Sequence, residues 1–514
     1  MHPHNRRDFL ADVGRGMLVG SVGATLAADL GLATVFAGED EVSLSFGKLE
    51  PLVSLMQQTP AEKIVPALVT RLKSDTDLKT LVAAAALANA RTFGGEDYVG
   101  FHTFMALAPA YAMSQELPSS QAPLPVLKVL HRNTKRIQEQ GGRKSEVLKP
   151  VKPAAVVGSI GEPLQVATRK GETQLAERIF KKQMQSSRGE AYNHLQYTVQ
   201  DDINVHRVVL AWRAWETLDF VGQQNAHTLL RQSVRFCCKD DRNSNQRGRV
   251  QPIRTLLPKL IDGYKLLGKK LGGKKVDDQW VDRMAGLIFS SSRAKAADAV
   301  AAALAEGVDT ETIGEAMSLA ACRLVLHDPG RPKKWVRPGK PVGSVHGDSV
   351  GVHASDAANA WRHIARVSNH RNRVASLIVG AYHTAGQSSR SHKLPYPQAE
   401  HLKKVGSTDG TKLLQQVEDA IRHKDQATVC AAIAQYGKLN KSAAPIFKML
   451  LRYATSEDGA LHAEKYFRTV REEFKSTRVA FRWEQLVALA RVTASESGTT
   501  AAGYNQAREL LGLS

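Results

Sequence analysis

Apolar residues recur every three or four positions through most of this chain, and nowhere does apolar–polar alternation persist. A spacing near 3.6 lays an apolar stripe along a helix, whereas a half-buried strand needs a period of two. A chain patterned this way has helices and little else from which to build a core. Thr59, Pro60, Ala61 and Glu62 read as a capping box with proline in the first turn, opening a helix to about Lys73. Asp75 or Asp77 starts the next, which passes through Leu81, Val82 and a run of alanines and stops at Gly94 and Gly95. Further helices are expected over 96–116, 123–140, 162–186, 201–222, 224–238, 252–268, 278–293, 294–306 and 310–327. A Pro- and Gly-rich segment, 328–346, separates these from two histidine-bearing helices, and short helix pairs follow. The expected fold is all-α, an irregular multi-helix array of antiparallel helix pairs. Its divisions are a core region over 38–385, a linker over 386–404 and a C-terminal helical region over 405–514. No fixed repeat of about 34 or 40 residues runs through it.

The start of the chain has a different character. Arg6 and Arg7 precede Asp8, Phe9 and Leu10, and a mildly apolar, Gly- and Ala-rich stretch runs from Met17 to Phe36. Val35, Phe36 and Ala37 then offer compact residues at a cleavage position. This pattern resembles a twin-arginine export signal over 1–37. It implies the twin-arginine export machinery as a partner, a periplasmic or other extracytoplasmic destination, and a protein carried across already folded. Asp29 and the interspersed glycines make the segment too polar for a permanent span of about 20 apolar residues. After cleavage no stable membrane span is expected.

The formal net charge is +20. The basic residues concentrate in Arg132–Lys152, Lys265–Lys275 and Arg331–Lys340, stretches poor in apolar residues that read as solvated loops. No nucleic-acid-binding module or aromatic platform accompanies them, so nucleic acid is not an expected partner. Cys237, Cys238, Cys322 and Cys430 lack CxxC spacing. Adjacent Cys237 and Cys238 do not bridge each other, because one peptide holds their Cα atoms too close. A long disulfide to Cys322 or Cys430, or buried free thiols, both remain open.

Histidines carry the chemistry. Five of the seventeen lie between His346 and His383. Ser355 or Asp356 is expected to cap a helix there, with Ala357, Ala360, Trp361, Ile364 and Val367 on its apolar stripe. On an unbroken helix, His363 and His370 would share a face about 10.5 Å apart, too far to chelate one ion. His102 shares its stripe with Tyr98, Met105, Ala106 and Met113, where burial favours the neutral ring. In the helix from Asp201, Glu216 and Asp219 fall on a side lined by Trp212 and Trp215, and His206 flanks that face. A buried carboxylate needs a partner. His102, His206 and His353, with Asp219 or Glu216, are therefore expected to converge between helices, with His227 and His383 as further candidates. Imidazoles and a carboxylate could hold Fe, Mn or Zn, or serve as acid and base. No HExxH, ExxH, nucleophile elbow or phosphate loop is present in the mature chain.

Three blocks resemble the questin oxidase-like family over about 100–385. They are Tyr98 to His102 running on through Ala108; Val205 and His206 followed by Trp212–Gly222 and Ala226–Arg231; and Val352–Ser355 running into Ala360–His363. Each sets a histidine ahead of an apolar helix. The resemblance implies a helical oxidoreductase, with His102, His206 and His353 as the carried-over histidines. Fungal members oxidise polyketide quinones by an oxygen-dependent Baeyer–Villiger-type reaction with NADPH; this chain departs from them in its export signal, since NADPH is not expected outside the cytoplasm. The reading that follows is an exported oxidoreductase or metal-dependent enzyme for a small organic substrate. The alternative is a non-catalytic helical scaffold that binds a protein or an anionic envelope polymer through its basic loops.

Overall fold

The computed structural model describes residues 43–513 except 75, 157, 185 and 186. Arg6, Arg7 and Ala37, and with them the export signal, lie outside the described residues. The protein is all-α: 71% of it is helical, in 23 α-helices with short 3-10 turns, and no strand occurs among the described residues. None of the described helices is long and apolar enough to cross a membrane.

The first helices are α1 (Glu50–Gln58) and α2 (Ala61–Lys73). The expected capping box at Thr59 does not form. Pro60 takes the cap position, no side chain closes the end, and the Pro60 carbonyl accepts from Lys63 N. Asp77 does cap α3 (Leu78–Phe93), accepting from Thr80 N at 2.6 Å. From Leu81 to Phe93 every residue of α3 is buried, because small alanines let neighbours close in on all sides. α4 (Tyr98–Ser114), capped by Asp97, and α5 (Pro123–Glu139) pack against it and against each other.

The helix expected over 162–186 is two, α6 (Gly161–Lys170) and α7 (Thr173–Gln183). Gly171 stands between them at φ +73°, a left-handed turn that ends a helix and suits a residue without Cβ. α8 (Arg188–Val199) fills a stretch whose weak apolar pattern had concealed it. α9 (Val205–Val221) starts after Asn204, whose side chain accepts from His206 N at 3.0 Å. α10 (Ala226–Gln246) continues past Cys238, where it was expected to end. Then come α11 (Ile253–Gly263), α12 (Asp278–Ser290), α13 (Arg293–Ala305) and α14 (Thr310–Leu326).

α15 (Val350–Val367) begins earlier than expected. Ser349, not Ser355 or Asp356, is its cap: its backbone is extended and its hydroxyl accepts from Val352 N. Ser355 instead donates to the Gly351 carbonyl, and Asp356 accepts from Thr469 at 2.8 Å. Asn369 caps a separate α16 (His370–Thr384), so His363 and His370 share no helix. α17 (Ala399–Val405) occupies part of the expected linker. The C-terminal helices are α18 (Gly410–Arg422), α19 (Gln426–Gly437), α20 (Ala444–Ser456), α21 (His462–Ser476), α22 (Arg482–Glu496) and α23 (Tyr504–Leu510). The four cysteines are free and buried.

Two large apolar clusters form the interior. One gathers residues of α1 to α16, together with Leu461 and Ala507. The other joins α17 to α22 with Met113, Cys322, Val325, Leu326, Val345 and Val352. The seam between them runs past the first turns of α15 and α21, since Val352 belongs to one cluster and Ala354 to the other. A crevice between packed units is where polar side chains from several elements can meet.

Candidate functional site

Four histidines meet at that seam: His102 of α4, His206 of α9, His353 of α15 and His462 of α21. His102 and His206 have ring centroids 4.7 Å apart, His206 and His353 5.8 Å, His353 and His462 5.3 Å, and His462 and His102 5.3 Å, closing a ring of four. His102 and His462 are buried, while His206 and His353 keep partial exposure and mark the open side. Phe101 stands 5.0 Å from both His102 and His206, and the exposed Tyr98 lies 4.5 Å from His102. All four histidines sit in the first or second turn of their helices. Side chains lean toward a helix's N-terminus, so four helix starts aimed at one place bring four rings together.

The hydrogen bonds fix two of the tautomers. His102 Nδ1 is 2.7 Å from the Tyr98 carbonyl and His462 Nδ1 is 3.1 Å from the Ala460 carbonyl. A carbonyl only accepts, so both Nδ1 atoms carry the proton, and in the neutral ring Nε2 is left as a bare lone pair. Those two lone pairs face the other two rings. His206 Nε2 lies 3.2 Å from His102 Nε2, and His353 Nε2 lies 3.3 Å from His462 Nε2. As the rings stand, His206 and His353 donate to His102 and His462.

The charge environment keeps these rings neutral. Burial is the leading cause at each one, and the Lys465 ammonium adds to it at all four. His206 is pushed down to about 3 and His353 to about 4, His102 is lowered further still, and His462 is lowered well below its ordinary value. Lys465 is itself buried and pulled down to about 8 by desolvation, with Asp356 and Glu464 holding it up. Burial raises Asp356 above the usual carboxylate range, against the pull of Lys465 and the Thr469 hydroxyl. Glu464 is anchored to Lys128 of α5 at 2.5 Å. Above the rings, Gly347 presses onto His462: a Cβ there would stand 2.1 Å from the His462 Cβ, so only glycine fits. Gly347 N donates to Glu496 at 2.8 Å, tying the loop down.

Among the described residues, no group of three or more His, Cys, Asp or Glu side chains stands ready to hold a metal ion. The three-ligand set of His102, His206 and His353 is therefore not preassembled; the rings stand as two close pairs.

The remaining expected site residues go elsewhere. Glu216 pairs with Arg213 at 2.6 Å and lies 3.7 Å from Arg468. Asp219 pairs with Arg188 and its side chain is 71% exposed. They follow His206 on the same helix, but at 1.5 Å per residue they lie about 15 and 20 Å farther along its axis. A shared stripe did not mean a shared site. His227 stacks on Phe180 at 6.0 Å, in the packing of α10 on α7. His383 is buried behind Trp361, whose indole donates to its Nδ1 at 3.2 Å, and burial pushes it down to about 3. The Trp-lined face of α9 serves a different network, in which Trp212 stacks on His363 and His363 meets Glu472 at 3.0 Å.

Sequence reasoning missed His462 and Lys465, which belong to the region after 405. A signal for them exists: His462, Glu464, Lys465, Tyr466 and Phe467 place a histidine and two charges at the start of an apolar stripe. That is the pattern seen at His102, His206 and His353. Comparison with protein-family models, curated proteins and solved structures gave no match.

Proposed function

We propose that His102, His206, His353 and His462 form a transition-metal centre of the Fe, Mn or Zn class in an exported enzyme acting on a small organic substrate. The observation that carries this reading is that the bare Nε2 atoms of His102 and His462, whose Nδ1–H groups are held by carbonyls, each face a second Nε2 at 3.2 and 3.3 Å. Two nitrogens bound to one ion at about 2.0–2.1 Å in tetrahedral geometry lie roughly 3.3–3.4 Å apart. An Nδ1–H held by a carbonyl is the usual support for a ligating imidazole, and strongly depressed basicity keeps the lone pairs free at neutral pH. An ion held there would supply Lewis-acid or redox chemistry. The chain's own contribution is to hold neutral donors, exclude water on the Phe101 side and leave access past His206 and His353. An oxidoreductase of the questin oxidase-like kind is the narrower reading; it stands on the quoted histidine blocks alone.

Titrating purified, metal-stripped protein with Co(II) should produce visible ligand-field bands that saturate near one ion per chain. His102→Ala and His462→Ala should each weaken binding at least tenfold, an effect of the size known for outer-sphere partners of metal ligands or larger. Absence of any saturable spectrum, with no transition metal in protein as purified, would overturn the metal reading. The quartet would then be a pair of proton-sharing structural contacts.

Export is the other half of the proposal. With both Arg6 and Arg7 changed to Lys, the precursor should accumulate uncleaved in the cytoplasm. Its normal appearance outside the cytoplasm would remove the twin-arginine assignment.

A further inference from the structure

Lys465 is 3% exposed and, among the described residues, has no hydrogen-bond or ion-pair partner. Its neighbours in charge are all committed or distant. Glu464 is taken by Lys128, Glu216 by Arg213, and Asp356 is bonded to Thr469 without reaching ion-pair distance of the lysine. An ammonium has three N–H groups and no acceptor of its own, so one without a protein partner keeps its donors for a ligand or solvent. The nearby imidazoles offer little, because the bare Nε2 atoms of His102 and His462 already face His206 and His353. Lys465 lies three residues after His462 on α21 and so shares its face, and its charge acts on all four rings.

Three further features add positive potential at the same place. The N-terminal ends of α4, α9, α15 and α21 converge there, each carrying a partial positive charge. Asp97, Asn204 and Ser349 side chains cap the first three, whereas α21 has no side-chain cap. The basic loop Arg331–Lys340 stands beside the open side; Asp348 pairs with its Arg331 and Lys340 and acts on His353 and Tyr98 more strongly than Lys340 and Arg337 do, so the loop adds only the charge that Asp348 leaves uncompensated. Charges lining an approach raise the encounter rate of an oppositely charged ligand.

We propose that the substrate bound at the histidine quartet carries a carboxylate, and that Lys465 is the residue that receives it. This rests on the reading of the quartet as the substrate site and adds the substrate's chemical class. The guanidinium that acts on Lys465, Arg213, is already held by Glu216 at 2.6 Å, which leaves a single uncommitted ammonium to match one negative charge. A phosphate carries more charge and more oxygens and favours arginine forks or several donors.

Calorimetric titration of the full-length, metal-stripped protein tests this with benzoate, acetate and inorganic phosphate at constant ionic strength in chloride. Benzoate or acetate should bind saturably and more tightly than phosphate. Lys465→Met should weaken that binding at least tenfold, and Lys465→Arg should restore most of it. Asp356→Asn, which removes the competing negative charge, should tighten it, and it covers the case in which the methionine variant fails to fold. No saturable carboxylate binding, a preference for phosphate, or unchanged affinity in both Lys465→Met and Asp356→Asn would each overturn the proposal. Because no metal is present, a failed metal titration leaves this result intact, and a failed carboxylate titration leaves the metal result intact.

Discussion

Lowering the pH of the metal-free protein from about 6.5 towards 4 should unfold it. A histidine whose folded pKa lies below its unfolded value near 6.5 contributes stability above that pH and loses it as pH falls towards the folded pKa. His206 and His353 are pushed down to about 3 and about 4, His102 lower still, and His462 well below its ordinary value, all chiefly by burial. Each such group withdraws up to about 1.4 kcal/mol per pH unit in that window, so four together withdraw at most about 5.6 kcal/mol per unit. That is comparable to the whole stability of many proteins, about 5–15 kcal/mol. Glu496 works in the opposite sense: burial raises it to about 7, and its contribution, complete below its unfolded value, falls as pH rises towards 7. Asp202, Asp328, Asp356 and Glu484 are raised by burial in the same sense, and the histidines His227, His346 and His383, lowered by burial, add to the four rings. Urea midpoints at pH 7 and pH 5.5 check the claim, and a His206→Gln/His353→Gln variant should show a shallower pH dependence. Equal midpoints at the two pH values would mean that the rings are far more solvated than their packing indicates.

Lys128→Met should cost about 3–5 kcal/mol, the range for removing one member of a buried ion pair. Lys128 and Glu464 are 6% and 0% exposed and meet at 2.5 Å; Lys128 also donates to the Ala454 and Glu457 carbonyls. The substitution leaves a carboxylate and two carbonyls without their donor inside the protein. The double variant Lys128→Met/Glu464→Leu should recover much of the loss, because two apolar groups strand no charge. Equilibrium urea unfolding measures both. The pair is also what ties the first turn of α21 to α5, so the single variant should weaken Co(II) binding through displacement of His462. A cost below about 1 kcal/mol would put the pair in the class of solvent-exposed salt bridges.

The helical class, most helix positions and several caps follow from the order of residues alone. A 3.6-residue stripe is a local property: Asp77 ahead of Leu81 starts α3 whatever lies elsewhere in the fold. The misread ends are places where one local signal outweighs another. Gly171 divides a continuous stripe, Ser349 supplies a cap before the apolar residues begin, and Pro60 displaces Thr59. The three histidines at the starts of α4, α9 and α15 were also legible, since each stands ahead of an apolar run. Periodicity carries no more than that. It gives the face a residue shares, not the distance along it, so Glu216 and Asp219 looked like partners of His206 while lying turns away.

Only the tertiary structure decided which helix starts meet. It brings α21, whose His462 follows His353 by 109 residues, against α4 and α15, and so completes the ring with His462 and sets Lys465 behind it. No spacing in the chain encodes that juxtaposition. It depends on the fit of two apolar clusters along one seam, and packing energy is a property of the assembled surfaces, not of the order in which their residues are joined.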